Sequence, residues 1–452
     1  MEKKHLLLKG GHLIDMESGH LQQSDILILN GRIAQVSSSE LETASDTKTI
    51  DLQDSYIIPG LIDMHVHIKE TFAPLFTAAG ITTVRNCAGN VLELKRMVHA
   101  QEDAPTPRII TADRMIDGPP GLWGDTSPFN FNTSEQEEAR QEVRRQVEAG
   151  ADFIKVYGWL NKEVMEATVE EASLHGKEVS CDLMHSTQVN ALDAAEIGVK
   201  WFEHATGILQ ALYPSWNMQA SQPEWEAIDW EHPDILMIEQ VCKQLLAYQV
   251  KLCPTMVLYD QMKNSANVWQ PNQTVIEKAK ENTGLIQQWA RLSTFTEALE
   301  AQGKQISYIQ KIAAVYHRMG GVVVAGTDTP AGIFTFPGMA LHRELELFVE
   351  AGFSPLEALQ ATTIAAAKSL NLQDQLGIIK EGAKADILIL DKNPLDDISN
   401  TKRIRYLIKG GRLYTQDEIF QAIPDEEAAL SAYNQFINDW EASCQPIPSH
   451  NK

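Results

Sequence analysis

The sequence lacks several features that mark other classes of protein. Its five cysteines are odd in number and show no C-x-x-C spacing, which argues against a disulfide framework and is typical of a reduced, cytoplasmic protein. No apolar run approaches the roughly 20 residues that cross a bilayer. The N-terminus also lacks the apolar region of a signal peptide. These absences predict a cytoplasmic protein that has no membrane partner.

Positive charge is scarce. The chain has 38 basic and 61 acidic residues among 452, and its formal net charge is −23. Such a balance argues against nucleic acid or an anionic membrane as a partner, because both repel an acidic surface. We therefore expect the partner to be a small-molecule substrate, and the sequence leaves a homo-oligomer open.

No glycine-rich phosphate loop follows the first strand of the central region, which argues against a doubly wound, dinucleotide-binding sheet. Apolar segments of strand length instead alternate with helical segments, and this pattern predicts an α/β fold with a (β/α)8 TIM-like barrel. The eight predicted strands cover residues 57–67, 81–85, 108–112, 153–157, 178–183, 200–203, 251–256 and 322–327.

Short strand patterns with turn signals occupy both ends of the chain, including Asn30-Gly31 as a hairpin turn. We predict that residues 1–58 and 376–418 form one small β-sandwich domain. The barrel would then cover residues 59–375. Residues 419–452 are predicted to be a C-terminal helical tail.

Polar side chains lie where several predicted strands end. His65 and His67 are two residues apart on a strand, so both imidazoles point to the same side. Because the carboxyl ends of barrel strands meet at one mouth, side chains from different strands should converge there. The residues at these ends are His65, His67, Lys155, His185, His204 and Asp328. Imidazole and carboxylate groups at one point predict a transition-metal site.

Lys155 is unusual in this group, since an ammonium would repel divalent cations. Burial would depress its pKa and leave a nucleophilic amine. Such an amine can take up CO2 and become an anionic carbamate able to bridge two metals. The alternative is that Lys155 extends out of the barrel or pairs with Asp152.

This set of residues resembles the amidohydrolase superfamily in its binuclear, carbamylated-lysine form. The nearest branch looks like the imidazolonepropionase- and prolidase-related amidohydrolases, and Lys155 favours the peptidase-like side. The matching motifs are PGLIDMH at 59–65, GITTVR at 80–85, AGTD at 325–328, HREL at 342–345, GFSPLEAL at 352–359 and GAKADI at 382–387.

The resemblance implies two divalent metal ions, with zinc as the default and manganese, iron or cobalt as alternatives. His65, His67 and Asp328 would hold one metal, and His185 and His204 the other. The carbamate on Lys155, derived from CO2, and a hydroxide would bridge the two ions. The hydroxide would attack a carbonyl, and Asp328 would serve as the catalytic proton shuttle.

We accordingly expect a hydrolase that cleaves the C–N amide bond of a dipeptide or an N-acyl amino acid. One alternative is a hydrolase or deaminase of a cyclic amide or imidazolone, and another is a catalytically silent binding protein. Arg85, Arg114 and Tyr157 are candidate substrate-binding residues, because a guanidinium can hold a carboxylate and a phenol can donate to a carbonyl. Residues 207–300, with five of the nine tryptophans, form either a lid or a packed insertion.

Overall fold

Both ends of the chain contribute strands to one mixed sheet. The computed structural model describes residues 5–45 and 47–443. This eight-stranded sheet consists of His5–Ile14, Leu21–Leu29, Arg32–Ser37, Lys48–Asp51, Tyr56–Pro59, Ile387–Leu390, Ile404–Lys409 and Arg412–Tyr414. The apolar residues of these strands form their own core. The strands belong to a single sheet, so the β-sandwich layering is not confirmed, and the bounds of the predicted small domain stay a prediction.

Ten further strands follow in chain order between these two groups, and eight of them correspond to the predicted barrel strands. These eight are Leu61–Val66, Ile81–Asn86, Arg108–Thr111, Ile154–Tyr157, Val179–Asp182, Trp201–Glu203, Lys251–Cys253 and Val322–Val323. Consecutive strands pair in parallel, except where a single bridge from Ala112 to Phe153 joins the third and fourth strands. The parallel order and the intervening helices agree with the predicted (β/α)8 barrel.

The last strand segment returns to the first. The Met64 N–H donates to the Ala325 carbonyl at 2.9 Å, and Val66 pairs in parallel with Thr329. The Asp328 N–H also donates to the His65 carbonyl at 2.7 Å. These bonds place the ends of the first and eighth strands side by side, and with them the side chains of His65 and Asp328.

The predicted strand 57–67 is divided at Gly60. Tyr56–Pro59 belongs to the small-domain sheet, whereas Leu61–Val66 belongs to the barrel. A Cβ atom at Gly60 would lie 2.3 Å from Thr82 Oγ1, so only glycine allows this close approach. The expectation of one continuous strand was therefore wrong, because the chain passes from one sheet to the other at this glycine.

Helices connect the strands and cover the barrel. They are Ala73–Ala78, Val91–Val98, Gln136–Ala149, Lys162–Leu174, Ala191–Ile197, Ile208–Leu212, Gln222–Glu226, Ile235–Ala247, Met256–Lys263, Thr274–Lys280, Thr283–Leu292, Thr296–Gly303, Ile306–Arg318, Met339–Ala351, Pro355–Ala361, Ile364–Ser369, Gln416–Phe420 and Glu426–Ser443, with 3-10 turns at Ser293–Phe295 and Ile398–Lys402. Within the described ranges, every helix is too short or too polar to span a bilayer.

The predicted tail begins as a helix that packs on the barrel. In Glu426–Ser443, Phe436 contacts the Phe129 ring with centroids 5.7 Å apart, and Trp440 lies under the Arg114 guanidinium at 5.0 Å. Phe129 and Arg114 flank the short strand pair Met115–Asp117 and Asn130–Asn132. The rest of the tail, residues 444–452 with Cys444, lies outside the described residues. The four described cysteines are free and buried.

Candidate active site

Three of the predicted ligands meet at the junction of the first and eighth strands. Asp328 Oδ1 lies 3.1 Å from His65 Nε2 and 2.9 Å from His67 Nε2. Asp328 has a φ of 60°, a strained value for a residue with a side chain. Burial opposes its ionisation, but the imidazoles of His204, His65 and His67 outweigh this effect and hold its pKa well below the usual value. The carboxylate is therefore an anionic donor between two imidazoles.

His204 joins this group from the sixth strand. Its ring centroid lies 4.6 Å from that of His65, and donor atoms of His65, His204 and Asp328 all lie within 4.8 Å of one another. His204 Nδ1 contacts Thr255 Oγ1 at 2.6 Å, which fixes the orientation of the ring. Burial lowers its pKa to about 4, so the imidazole is neutral and its other nitrogen can donate an electron pair. These three residues can hold a metal ion.

Lys155 projects from the fourth strand and is fully buried, with Nζ making no hydrogen bond to any described residue. A buried ammonium without a partner is costly, so this position suits a modified amine better than a free one. Asp182, also buried, lies 3.5 Å from His204 Nε2 and interacts electrostatically with Lys155. The donor set and the unpartnered amine fit a metal centre.

His185 follows the fifth strand and is partly buried. Its Nδ1 has no hydrogen-bond partner among the described residues, and its ring meets Trp159 edge-on at 6.1 Å. Burial lowers its pKa, although Asp182 and Asp117 act in the opposite direction. The imidazole is thus neutral and suitable as a ligand, and its place in the metal set stays a prediction.

Glu203 was not assigned a role from the sequence, although it is fully buried beside His204. Its Oε2 accepts from His65 Nδ1 at 2.7 Å, while its Oε1 accepts from Arg85 at 2.8 Å and from the Ser180 hydroxyl at 2.6 Å. A carboxylate on Nδ1 orients His65 so that Nε2, the atom that contacts Asp328, is the one that would bind a metal. The signal available in the sequence for Glu203 was an acidic residue at the end of a predicted apolar strand.

Arg85 does not reach the mouth of the barrel. Its guanidinium is buried between the rings of Phe153 and Trp201, at 4.1 and 4.2 Å, and pairs with Glu203. It is therefore occupied within the barrel and lies away from the surface of the cavity. The structure gives Arg85 a structural contact in place of the predicted substrate contact.

Arg114 is occupied in a similar way. Its Nε and Nη2 atoms donate to both carboxylate oxygens of Glu142, at 2.8 and 2.6 Å, and Nη1 donates to the Ser127 carbonyl. These bonds engage the face of the guanidinium that would hold a substrate carboxylate. Neither predicted arginine lines the cavity beside the metal ligands.

A cavity of about 460 Å³ opens onto His67 and Asp328. Tyr157 also lines it, and its predicted contact with substrate stays a prediction. Burial and the nearby Asp182 carboxylate raise the pKa of Tyr157 well above its usual value, so the phenol stays protonated. The other walls are mainly apolar and include Phe72, Met115, Trp123, Leu285 and Pro330.

Part of the segment 207–300 forms one side of this cavity through Asn282 and Gln288. Three of the five tryptophans of the segment pack together, with Trp216 and Trp230 each 5.1 Å from Trp225. This contact matches the packed insertion expected as one of two alternatives. The mobility of a lid stays a prediction.

Comparison with known proteins gives a family match over residues 250–414, to the amidohydrolase family. Ochratoxinase from Aspergillus niger is 25% identical over 332 residues, which cover 69% of this chain and 55% of that enzyme. The chain thus spans about half the length of this relative.

Two solved structures share the fold. A putative prolidase from Bifidobacterium longum has a TM-score of 0.68 at 22% identity, covering 96% of this chain and 99% of its own. A Xaa-Pro dipeptidase with methionine bound in its active site has a TM-score of 0.67 at 20% identity, covering 91% and 99%. The family match and the shared fold agree with the resemblance seen in the sequence.

Proposed function

We propose that the chain is a member of the amidohydrolase superfamily and a metal-dependent hydrolase of C–N bonds. Its substrate is the amide of a dipeptide or of an N-acylated amino acid. The names of the relatives support this choice, since one is a Xaa-Pro dipeptidase. The observation that carries the proposal is the contact of Asp328 Oδ1 with both His65 and His67, together with a buried Lys155 whose Nζ makes no hydrogen bond to a described residue.

The proposed site holds two divalent ions, with zinc as the first choice because imidazole and carboxylate ligands suit it. His65, His67 and Asp328 would hold one ion, and His185 and His204 the other. Lys155, as a carbamate formed with CO2, would contribute oxygens to both. This assignment would explain why the buried Lys155 Nζ makes no hydrogen bond to any described residue.

When bound, the ions would lower the pKa of water and polarise the carbonyl of the substrate. A side chain of the protein carries out the proton transfer. The Asp328 carboxylate takes a proton from the attacking water and delivers it to the nitrogen of the leaving amine. Asp328 is placed for this role, because its carboxylate lines the cavity and contacts both imidazoles.

Tyr157 is proposed to donate to the carbonyl oxygen of the scissile amide. Its phenol lines the cavity and is protonated, and its single O–H would turn from Asp182 to the substrate carbonyl. Thr255 holds the His204 imidazole in position, and Glu203 holds that of His65. A hydrogen-bond donor held in place, such as the Tyr157 phenol, stabilises the negative charge that develops on the carbonyl oxygen.

The test is the metal content of protein expressed with zinc or manganese and bicarbonate. We expect two metals per chain in the wild type and fewer in Lys155→Ala, with the surface variant Lys162→Ala as the control. A panel of dipeptides, N-acyl amino acids and lactams then identifies which kind of C–N bond the protein hydrolyses. One metal per wild-type chain would contradict the bridging role of Lys155, and hydrolysis of lactams alone would favour the cyclic-amide alternative. No metal after reconstitution would favour a silent binding protein.

A further inference from the structure

Recognition of a substrate carboxylate requires a cation at the cavity, and the two predicted arginines do not supply it. Both are held in ion pairs away from the cavity wall, Arg85 with Glu203 and Arg114 with Glu142. Among the described residues that line the cavity, Lys69 is the one lysine or arginine. A cation of this kind is the usual partner for the terminal carboxylate of a dipeptide or an N-acyl amino acid.

Lys69 is held in a defined position. Its Nζ lies 2.7 and 2.6 Å from the two oxygens of Glu93, and 4.5 Å from the centroid of the Phe129 ring. Glu93 is in the first turn of the helix Val91–Val98, where the helix dipole stabilises a negative charge. Phe129 is supported in turn by Phe436 of the C-terminal helix.

The ammonium is not enclosed by these contacts. The Lys69 side chain is 39% exposed, whereas that of Glu93 is 16% exposed. An ammonium has three N–H donors, and Glu93 offers acceptors for two of them. The remaining donor and the exposed surface of Lys69 are available at the cavity that this residue lines.

We propose that Lys69 is a specificity-determining residue that binds the free carboxylate of the substrate, and that Glu93 is the positioning residue that holds it. This inference rests on the proposed amide hydrolysis and names the residue that recognises the carboxylate on the amine side of the substrate. Lys69 follows His67 by two residues, so the cation and a proposed metal ligand face the same cavity. The carboxylate would dock at Lys69 while the scissile amide lies at His67 and Asp328.

The test compares N-acetyl-L-phenylalanine with its C-terminal N-methylamide, which differ in the carboxylate alone. Release of acetate is measured for the wild type, Lys69→Met and Glu93→Gln, with the surface variant Lys95→Met as a control. We expect the wild type to prefer the acid, and Lys69→Met to lose about tenfold of that preference, through KM. Glu93→Gln keeps the ammonium, so it should retain the preference for the acid.

Two results would overturn the inference. If Lys69→Met and Glu93→Gln lower both substrates equally, the ion pair is structural and Lys69 does not recognise the carboxylate. If Lys69→Met keeps the wild-type ratio, the carboxylate binds elsewhere. Should the wild type hydrolyse neither compound, the hydrolase proposal fails for this substrate class. Calorimetric binding of the acid and the methylamide then tests Lys69 alone, since loss of the difference in Kd in Lys69→Met supports its role and an unchanged difference refutes it.

Discussion

Glu203 and His65 form a buried pair behind the candidate metal centre, with Glu203 Oε2 2.7 Å from His65 Nδ1. Burial opposes ionisation of Glu203, but Arg85 and His65 outweigh it and hold the pKa of the carboxyl well below its usual value. The carboxylate is thus charged, and it fixes which nitrogen of His65 faces Asp328.

Replacing Glu203 by Gln should weaken the metal centre through His65. An amide does not fix the tautomer of the imidazole as a carboxylate does, so we expect activity or metal affinity to fall about 10- to 100-fold. The single variant also leaves the buried Arg85 without its counterion, which lowers stability. The measurements are metal content per chain, turnover and melting temperature.

A double variant separates the two effects. Arg85→Met with Glu203→Gln removes both charges, so it should recover much of the melting temperature while turnover stays low. If turnover recovers together with stability, Glu203 acts only on the fold. Unchanged activity in Glu203→Gln itself would remove the residue from the site.

His185 offers a test of the second half of the metal set. Its Nδ1 has no hydrogen-bond partner among the described residues, so His185→Ala should leave the fold intact. As a metal ligand, its loss should reduce turnover by roughly 100-fold or more. His175→Ala is the matched control, since His175 pairs with Glu171 outside the site. Turnover equal to the control would exclude His185 as a ligand.

Periodicity was sufficient to place the predicted ligands at strand ends, because each barrel strand is a short apolar run followed by a polar residue. His65, His67, His204 and Asp328 accordingly meet in the structure. The division of the first strand at Gly60 was not predictable in this way. Both halves are mostly buried, and which sheet each half joins depends on pairing with strands distant in sequence.

The partners of the ligands could not be predicted, because they come from strands distant in sequence. Glu203 meets His65 across 138 positions, and Thr255 meets His204 across 51. The same limit explains why the ion pairs of Arg85 and Arg114 were not predicted. Position on a strand indicates the direction of Arg85, but the buried carboxylate that engages it is a property of the packed barrel.

The position of Arg114 predicts an effect on stability rather than on substrate binding. Its guanidinium holds Glu142 through two hydrogen bonds and packs against Trp440. Arg114→Met should lower the free energy of unfolding by about 2 kcal/mol, a modest loss because Arg145 still pairs with Glu142. KM for the best substrate should not change. A raised KM in a variant of wild-type stability would restore the predicted substrate role.

Lys409 gives the stability a defined dependence on pH. Its side chain is buried, with Nζ donating to the Glu102 carbonyl at 2.7 Å. Burial lowers its pKa from 10.5 to about 8, against the attraction of Asp386 and Glu102 and with a smaller contribution from Arg108. Between these two values the unfolded chain binds more protons than the folded chain, so stability should rise as the pH increases.

The shift corresponds to about 3 kcal/mol in the free energy of unfolding. At neutral pH the buried, protonated Lys409 destabilises the folded state by this amount, and above pH 10.5 this destabilisation is absent. Lys409→Met removes this titration, whereas other groups that titrate at high pH remain in both proteins. We therefore expect the melting temperature of the wild type to rise relative to that of Lys409→Met between about pH 7.5 and pH 10. A difference that stays constant over this range would show that Lys409 keeps its proton in the folded chain, stabilised by Asp386 and the Glu102 carbonyl.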